Sequence, residues 1–357
     1  MRVGVLTTSY PRDADDAAGG FVAGFSRWLA ANVGDVDVVC ADASRPLFYR
    51  GGAPEALKRR GRWAEAAAFS AHLLIEAKRR ASGWDAVVSH WLVPSGAVAD
   101  ACGRARHLAI AHGSDVRLLS SLPGGRALVR RLARRADLVY VADALRVDGA
   151  PGRVVPMAID VMPIARATTG QARQAARARL GFGDKDGFVI AFLGRLIHDK
   201  GVDRAIDALP DGATLVVGGD GPERESLVKR AAGRRVRFFG HVAGDAKLAL
   251  LACADALVIP SRVDGAPTVA LEALAAGLPI VATPVGGLPE LLDASVAILA
   301  KEIGPALTRL RDDAELRATM SSACRARAPL HDWSHVAPTL WNESVRHNPG
   351  CLRTIRV

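Results

Sequence analysis

Two carboxylates eight positions apart, Asp264 and Glu272, carry the strongest chemical signal in the sequence. Ahead of them the brief apolar run Ala256-Leu257-Val258-Ile259, ended by Pro260-Ser261, reads as a buried parallel strand. Asp264 falls in the polar loop that follows. Thr268 stands at the N-cap position of a buried helix containing Val269, Leu271 and Leu274, and Glu272 rides on that helix. Gly277 and Pro279 stop the helix, Ile280-Val281-Ala282 is the next strand, and Pro284-Val285-Gly286-Gly287 is a loop that lets backbone approach a ligand. Ligands of open α/β sheets bind outside the C-terminal strand ends, so Asp264, Gly286 and Gly287 face one crevice. The helix N-terminus suits a phosphate, and carboxylates accept from sugar hydroxyls. A nucleotide sugar needs both.

A second cluster precedes it. The strand Phe188 to Leu193 runs into Gly194-Arg195-Leu196-Ile197-His198-Asp199-Lys200-Gly201, after which Val202, Ala205, Ile206 and Leu209 repeat at helical spacing. Arg195 offers a planar fork and Lys200 a mobile point charge, the two cationic ways of holding phosphate. The strand Thr214 to Val217 then ends in the tight turn Gly218-Gly219-Asp220-Gly221-Pro222, and the strand Val236 to Phe239 in the loop Gly240-His241-Val242.

In the first half, Arg2 to Leu6 is a strand, a loop carries Gly19-Gly20, and a helix begins at Phe21 with Phe25, Trp28 and Leu29 on one face. The close G-x-G-x-x-G spacing of dinucleotide binders is missing, which argues against NAD. His112 sits just beyond the strand Leu108 to Ile110, in Ala111-His112-Gly113-Ser114-Asp115, and His90 just beyond Asp85 to Ser89. Each histidine has two readings, a packed core imidazole or a ligand contact at a strand end.

Together these motifs resemble the glycosyltransferase family 4 (glycosyl transferases group 1), and the resemblance covers essentially the whole chain. It implies an α/β protein of two Rossmann-like domains, the GT-B fold, with the active site in the interdomain cleft. It further implies that Arg195 and Lys200 bind the donor diphosphate, that Glu272 holds the donor ribose, and that Asp264 and His112 lie near the transferred sugar. Asp115 supports the His112 loop, Gly19 and Gly20 lie under the phosphates, and Gly219, Gly286 and Gly287 line the donor site. Asp264 is a departure, since the family usually carries Glu there. Residues 1–165 form the expected acceptor domain, 166–335 the donor domain, and 336–357 a helix crossing back to the first.

The expected reaction moves a sugar from a nucleotide-diphosphate donor, a UDP-sugar by default, to a saccharide, glycolipid or small-molecule acceptor, with retention. No cofactor and no metal are called for, because the leaving diphosphate is stabilised by Arg195, Lys200 and helix dipoles. Cell-surface polysaccharide or glycolipid synthesis is the expected setting. A non-catalytic or nucleic-acid-binding relative, and an epimerase or phosphorylase on the same fold, are the alternatives.

Composition narrows the class. At 357 residues, 50% hydrophobic and 24% charged, the chain has material for two globular domains. Its five cysteines lack metal-ligand spacing, and no apolar run reaches membrane-span length, so a cytoplasmic protein is expected. The net charge of +10 concentrates in stretches such as Lys58-Arg59-Arg60, Lys78-Arg79-Arg80 and Arg126 to Arg135. These read as solvated helix faces or as a peripheral contact with anionic membrane; no nucleic-acid motif accompanies them.

Overall fold

The computed structural model describes residues 1–13, 16, 18–40, 57, 62–103, 106–183 and 186–346. The chain forms two compact units. The first runs to Ala158 and takes in the closing helix Trp333–Arg346; the second holds Ile159–Asp332.

Six parallel strands make the first unit's sheet: β1 (Arg2–Thr7), β2 (Asp35–Cys40), β3 (Ala86–His90), β4 (Arg106–Ala111), β5 (Asp137–Tyr140) and β6 (Arg153–Val154). Their order is β2-β1-β3-β4-β5-β6. The second unit's sheet contains β7 (Val189–Leu193), β8 (Thr214–Gly218), β9 (Val236–Gly240), β10 (Ala256–Ile259), β11 (Ile280–Ala282) and β12 (Ala297–Leu299), in the order β12-β11-β10-β7-β8-β9. Counted within the unit that order is 6-5-4-1-2-3, the doubly wound arrangement of dinucleotide folds. The direction of winding reverses between β1 and β3 in one sheet and between β7 and β10 in the other. Such switch points open a crevice at the C-terminal strand ends.

Strands such as β7, β10 and β11 are apolar throughout because both faces of a parallel sheet are covered there. In and beside β7, Val189, Ala191 and Leu193 enter one core with the helix Thr268–Ala276. Phe188, Ile190 and Phe192, pointing the other way, enter a second core with Ile303, Leu307 and Leu310.

The structure corrects several expectations. The units divide at Ala158 and Ile159 rather than near residue 165, because Ile159, Val161 and Ile164 bury their side chains in the second unit's core. The stretch Ala165 to Arg179, whose Ala, Thr, Gln and Arg content suggests linker plus a short helix, belongs instead to two helices, Val161–Ala167 and Gly170–Arg179. Thr268 does not cap its helix: Pro267 holds that position, no side chain caps it, and Thr268 is the first helical residue. Residues 303–327, whose sequence reads as helical throughout, form two helices, Ile303–Asp312 and Ala314–Arg327, parted at Asp313, whose carboxylate accepts from Leu316 N at 2.8 Å. Lys58-Arg59-Arg60 lie outside the described residues.

The closing helix packs on the helix Gly20–Asn32. The rings of Phe25 and Trp333 stack with centroids 5.3 Å apart, and a side chain at Gly24 would overlap the Trp333 indole. Arg153 donates to the carbonyls of Thr339 and Leu340 at 3.1 and 3.2 Å, tying β6 to the same helix.

Candidate active site

The loop after β7 and the loop after β10 flank the second unit's switch point, and they are strapped together. Asp199 O accepts from Arg262 N at 2.8 Å and Val263 N at 3.2 Å. The Arg262 guanidinium grips Asp203 with two bonds of 2.8 and 2.6 Å, and Arg204 donates to Pro260 O at 3.1 Å. The Arg262 fork holds the Asp203 carboxyl below its usual range, outweighing the opposing effect of burial.

On this strap the two residues expected at the transferred sugar and the diphosphate meet directly. Lys200 Nζ lies 2.6 Å from Asp264 Oδ2, and the carboxylate is only 9% exposed. Ser261 Oγ donates to the same oxygen at 3.0 Å, while Asp264 Oδ1 accepts from Gly265 N at 3.0 Å. The short aspartate side chain is thus folded back on its own turn, with a cation on its outer face. An ammonium has three donors, so one bond to Asp264 leaves two for an incoming anion. The pair is close to neutral overall, and what it offers beside the switch point is the ammonium's remaining N–H donors.

Two glycines fit backbone against this cluster. Gly286 has φ +55°, and a side chain there would overlap the Asp264 carbonyl oxygen; Gly287 N donates to Gly265 O at 2.6 Å. The Gly286-Gly287 loop therefore abuts the Asp264 loop. Gly219, at φ +147°, lies where a Cβ would strike the carbonyl oxygen of Gly194, the residue before Arg195. Its N–H donates to Gly240 O at 2.6 Å. Gly219→Ala is expected to destabilise the protein by at least about 1–3 kcal/mol, through backbone strain plus the overlap. Urea melting measures this, and an unchanged midpoint would mean that the turn yields freely.

Arg195 is half-buried between strapped segments: Leu196 N donates to Asp220 O at 2.9 Å and Glu223 N to Leu196 O at 3.1 Å. Glu272 is differently placed from the simple expectation of a carboxylate awaiting a ribose. On the helix Thr268–Ala276, where Ala270, Leu271 and Ala273 to Ala276 are buried, its Oε1 accepts from Lys247 Nζ at 2.7 Å. Lys247 belongs to the helix Gly244–Cys253 and was not singled out from the sequence. The two carboxylates eight apart thus each carry their own lysine.

The first unit holds the other candidate side chains. His90 ends β3 and His112 follows β4, neighbouring strands paired so that His90 faces Ile110. His90 Nδ1 and His112 Nε2 are 3.1 Å apart, with the rings 5.2 Å apart and nearly parallel. Phe21 and Trp91 enclose His112, with centroids at 5.0 and 4.8 Å. Burial pushes His90 down to about 3, and burial together with its neighbour holds His112 well below the usual histidine range. Both imidazoles are therefore neutral near pH 7, and His112 acts there as a hydrogen-bonding group rather than a cation. Asp115 Oδ1 accepts from His112 N at 3.1 Å and Oδ2 from Leu92 N at 2.7 Å, bracing the two strand-end loops against each other. Its burial raises its carboxyl above the ordinary value, against the pull of those backbone donors. Gly19 precedes the helix Gly20–Asn32 in a left-handed conformation, packed on the Ser9 carbonyl, whereas nothing lies within 4 Å of a side chain at Gly20. Among the described residues, no group of three or more His, Cys, Asp or Glu could hold a metal ion. No helix among them is long and apolar enough to cross a membrane.

Two doubly wound parallel sheets define an α/β protein of the GT-B type. Residues 187–321 match the family model described as glycosyl transferases group 1. The chain is 31% identical over 261 residues, 65% of its own length and 67% of the relative's, to a GDP-mannose-dependent monoacylated alpha-(1-6)-phosphatidylinositol monomannoside mannosyltransferase of Corynebacterium glutamicum. The chain belongs to the glycosyl transferases group 1 family, and it is a glycosyltransferase. Its fold matches the sucrose-phosphate synthase of Thermosynechococcus elongatus with a TM-score of 0.74 at 20% identity, over 98% of this chain and 99% of that one. Anabaena HepE in complex with UDP-glucose matches with a TM-score of 0.68 at 18% identity, over 98% of this chain and all of that one.

Proposed function

We propose that the protein transfers a sugar, with retention, from a nucleotide-diphosphate donor to an acceptor hydroxyl in the synthesis of a cell-surface glycan or glycolipid. The observation that carries this reading is the Lys200–Asp264 pair at the switch point, 2.6 Å apart and held by the strapped loops. Breaking the glycosidic bond places negative charge on the leaving diphosphate. Lys200, with two donors to spare, and Arg195 supply a preorganised counter-charge, so the reading needs no metal for that step. Glu272 accepts from the donor ribose, and Asp264 and His112 orient the transferred sugar. A neutral His112 suits hydrogen bonding to sugar hydroxyls. The exposed arginines of the helix Gly125–Arg135 give the first unit an attraction to anionic lipid, which a peripheral enzyme acting on a glycolipid would use.

UDP is the first donor base in this reading. Relatives differ: the mannosyltransferase of Corynebacterium is named for GDP-mannose, while the Anabaena protein was solved with UDP-glucose. A thermal-shift screen against UDP-, GDP-, ADP- and dTDP-sugars tests the donor site, since a ligand bound only by the native state raises Tm by mass action. One nucleotide class should raise Tm by several degrees and lose that effect in Glu272→Ala. No shift with any class at millimolar concentration would turn the reading towards a non-catalytic relative.

A further inference from the structure

The helix Trp63–Arg80 is apolar over more of its circumference than its packing uses. Phe69, Leu73 and Ala77, four apart, are buried in the first unit's core beside Leu6 and Val87. A second stripe at helical spacing, Trp63, Ala66, Ala67, Ser70, Ala71 and Leu74, faces a cavity of about 510 Å³ instead. The lining also includes Val93, Ala97 and Ala101, and Leu118, Leu119 and Leu122. Small residues line the space on two helices: alanines at 66, 67 and 71 on this one and at 97 and 101 on the helix Ala97–Cys102. From Trp63 to Leu74 the stripe runs about 16 Å at the helical rise of 1.5 Å per residue. The volume falls within the roughly 300–1,000 Å³ of small-molecule sites.

The lining is almost wholly apolar. Its charged member, Asp115, already gives its oxygens to Leu92 N and His112 N, so recognition here rests on apolar contact. One end reaches the candidate site: Trp91, Ser114 and Asp115 belong to the cavity wall, and the Trp91 ring is 4.8 Å from that of His112. Ala67 and Ala71 are solvent-exposed, which gives a flexible chain a way in along the helix.

We propose that this cavity binds the hydrocarbon chain of an amphipathic acceptor, laid along the helix Trp63–Arg80 with its hydroxyl-bearing head beside Trp91 and His112. The proposal rests on the glycosyltransferase reading for the word acceptor, but the binding itself needs neither donor nor turnover. Isothermal titration with n-alkyl β-glucosides from butyl to dodecyl, each below its critical micelle concentration and without nucleotide, reads it out. Affinity is expected to rise about fourfold per added methylene until the cavity fills, at one molecule per chain. Ala67→Trp and Ala97→Leu, which fill the cavity from two different helices, should each flatten the series, while nucleotide-diphosphate affinity stays at the native value. A flat series in the native protein overturns the proposal, as does a stoichiometry well above one. A slope that survives both substitutions overturns it too, because the chain would then be adsorbing elsewhere. If a substituted protein misfolds, the length series and stoichiometry of the native protein decide alone. A steep native series with no transfer to any glucoside from any donor would leave the cavity assignment standing and count against the transferase reading.

Discussion

Lys200→Ala is expected to lower kcat for sugar transfer by about 10²–10³-fold, the usual cost of removing one preorganised donor from a developing oxyanion. The loss should appear in kcat more than in KM, because the charge Lys200 meets grows as the glycosidic bond breaks. Folding should survive, since Asp264 keeps its bonds from Ser261 Oγ and Gly265 N. The strap through Asp199, Arg262 and Asp203 does not involve the lysine side chain. Lys200→Arg keeps the charge but exchanges a compact point for a planar fork, and should recover only part of the rate. Steady-state kinetics with the donor found by thermal shift, alongside far-UV circular dichroism, separate these outcomes. Native turnover in Lys200→Ala would remove the pair from the chemistry.

Glu272→Ala should abolish most donor turnover for another reason. A ribose hydroxyl donating to a carboxylate is worth about 1.5–3 kcal/mol, so the donor KM should rise roughly 10- to 150-fold while the acceptor KM stays put. Lys247 refines the expectation. Its ammonium lies 2.7 Å from Glu272 Oε1 and fixes the carboxylate that the ribose is to meet. Lys247→Ala should therefore weaken donor binding by itself, and the double variant should be less impaired than the two losses added together. Full additivity would mean that the lysine and the carboxylate act independently. An unchanged donor KM in Glu272→Ala would place the ribose elsewhere.

Much of the fold was legible because several strands are short apolar runs ended by Gly, Pro or Ser, as at Ile259-Pro260-Ser261 and Leu193-Gly194. The candidate residues near the switch point were legible for a related reason: they stand just beyond strand ends, where an open sheet exposes them. What escaped depends on partners distant in sequence. Lys247 meets Glu272 only once two separate helices pack side by side, and no local spacing announces that. The His90–His112 contact follows from the parallel pairing of β3 with β4, which is unknown until the strand order is known. Thr268 looked like a cap because threonine favours that position, yet Pro267, with φ fixed near the required value, took it. The unit boundary was drawn where Ala, Thr, Gln and Arg accumulate. Buried Ile159, Val161 and Ile164 determine it instead.

The helix Trp333–Arg346 has a consequence for how the protein comes into being. Its fourteen residues complete the first unit, with Trp333 against Gly24 and Phe25, although more than three hundred residues separate them in the chain. A ribosome delivers the helix Gly20–Asn32 long before the segment that covers it, so that face waits unpaired through the synthesis of the whole second unit. The second unit, whose whole sheet lies between Ile159 and Asp332, has no such delay. Contacts between sequence-distant segments close slowly and leave apolar surface exposed meanwhile. A nascent chain arrested near residue 335 should accordingly carry a protease-resistant second unit beside a first unit still open to cleavage, and the last helix would act as the clasp that ends its exposure.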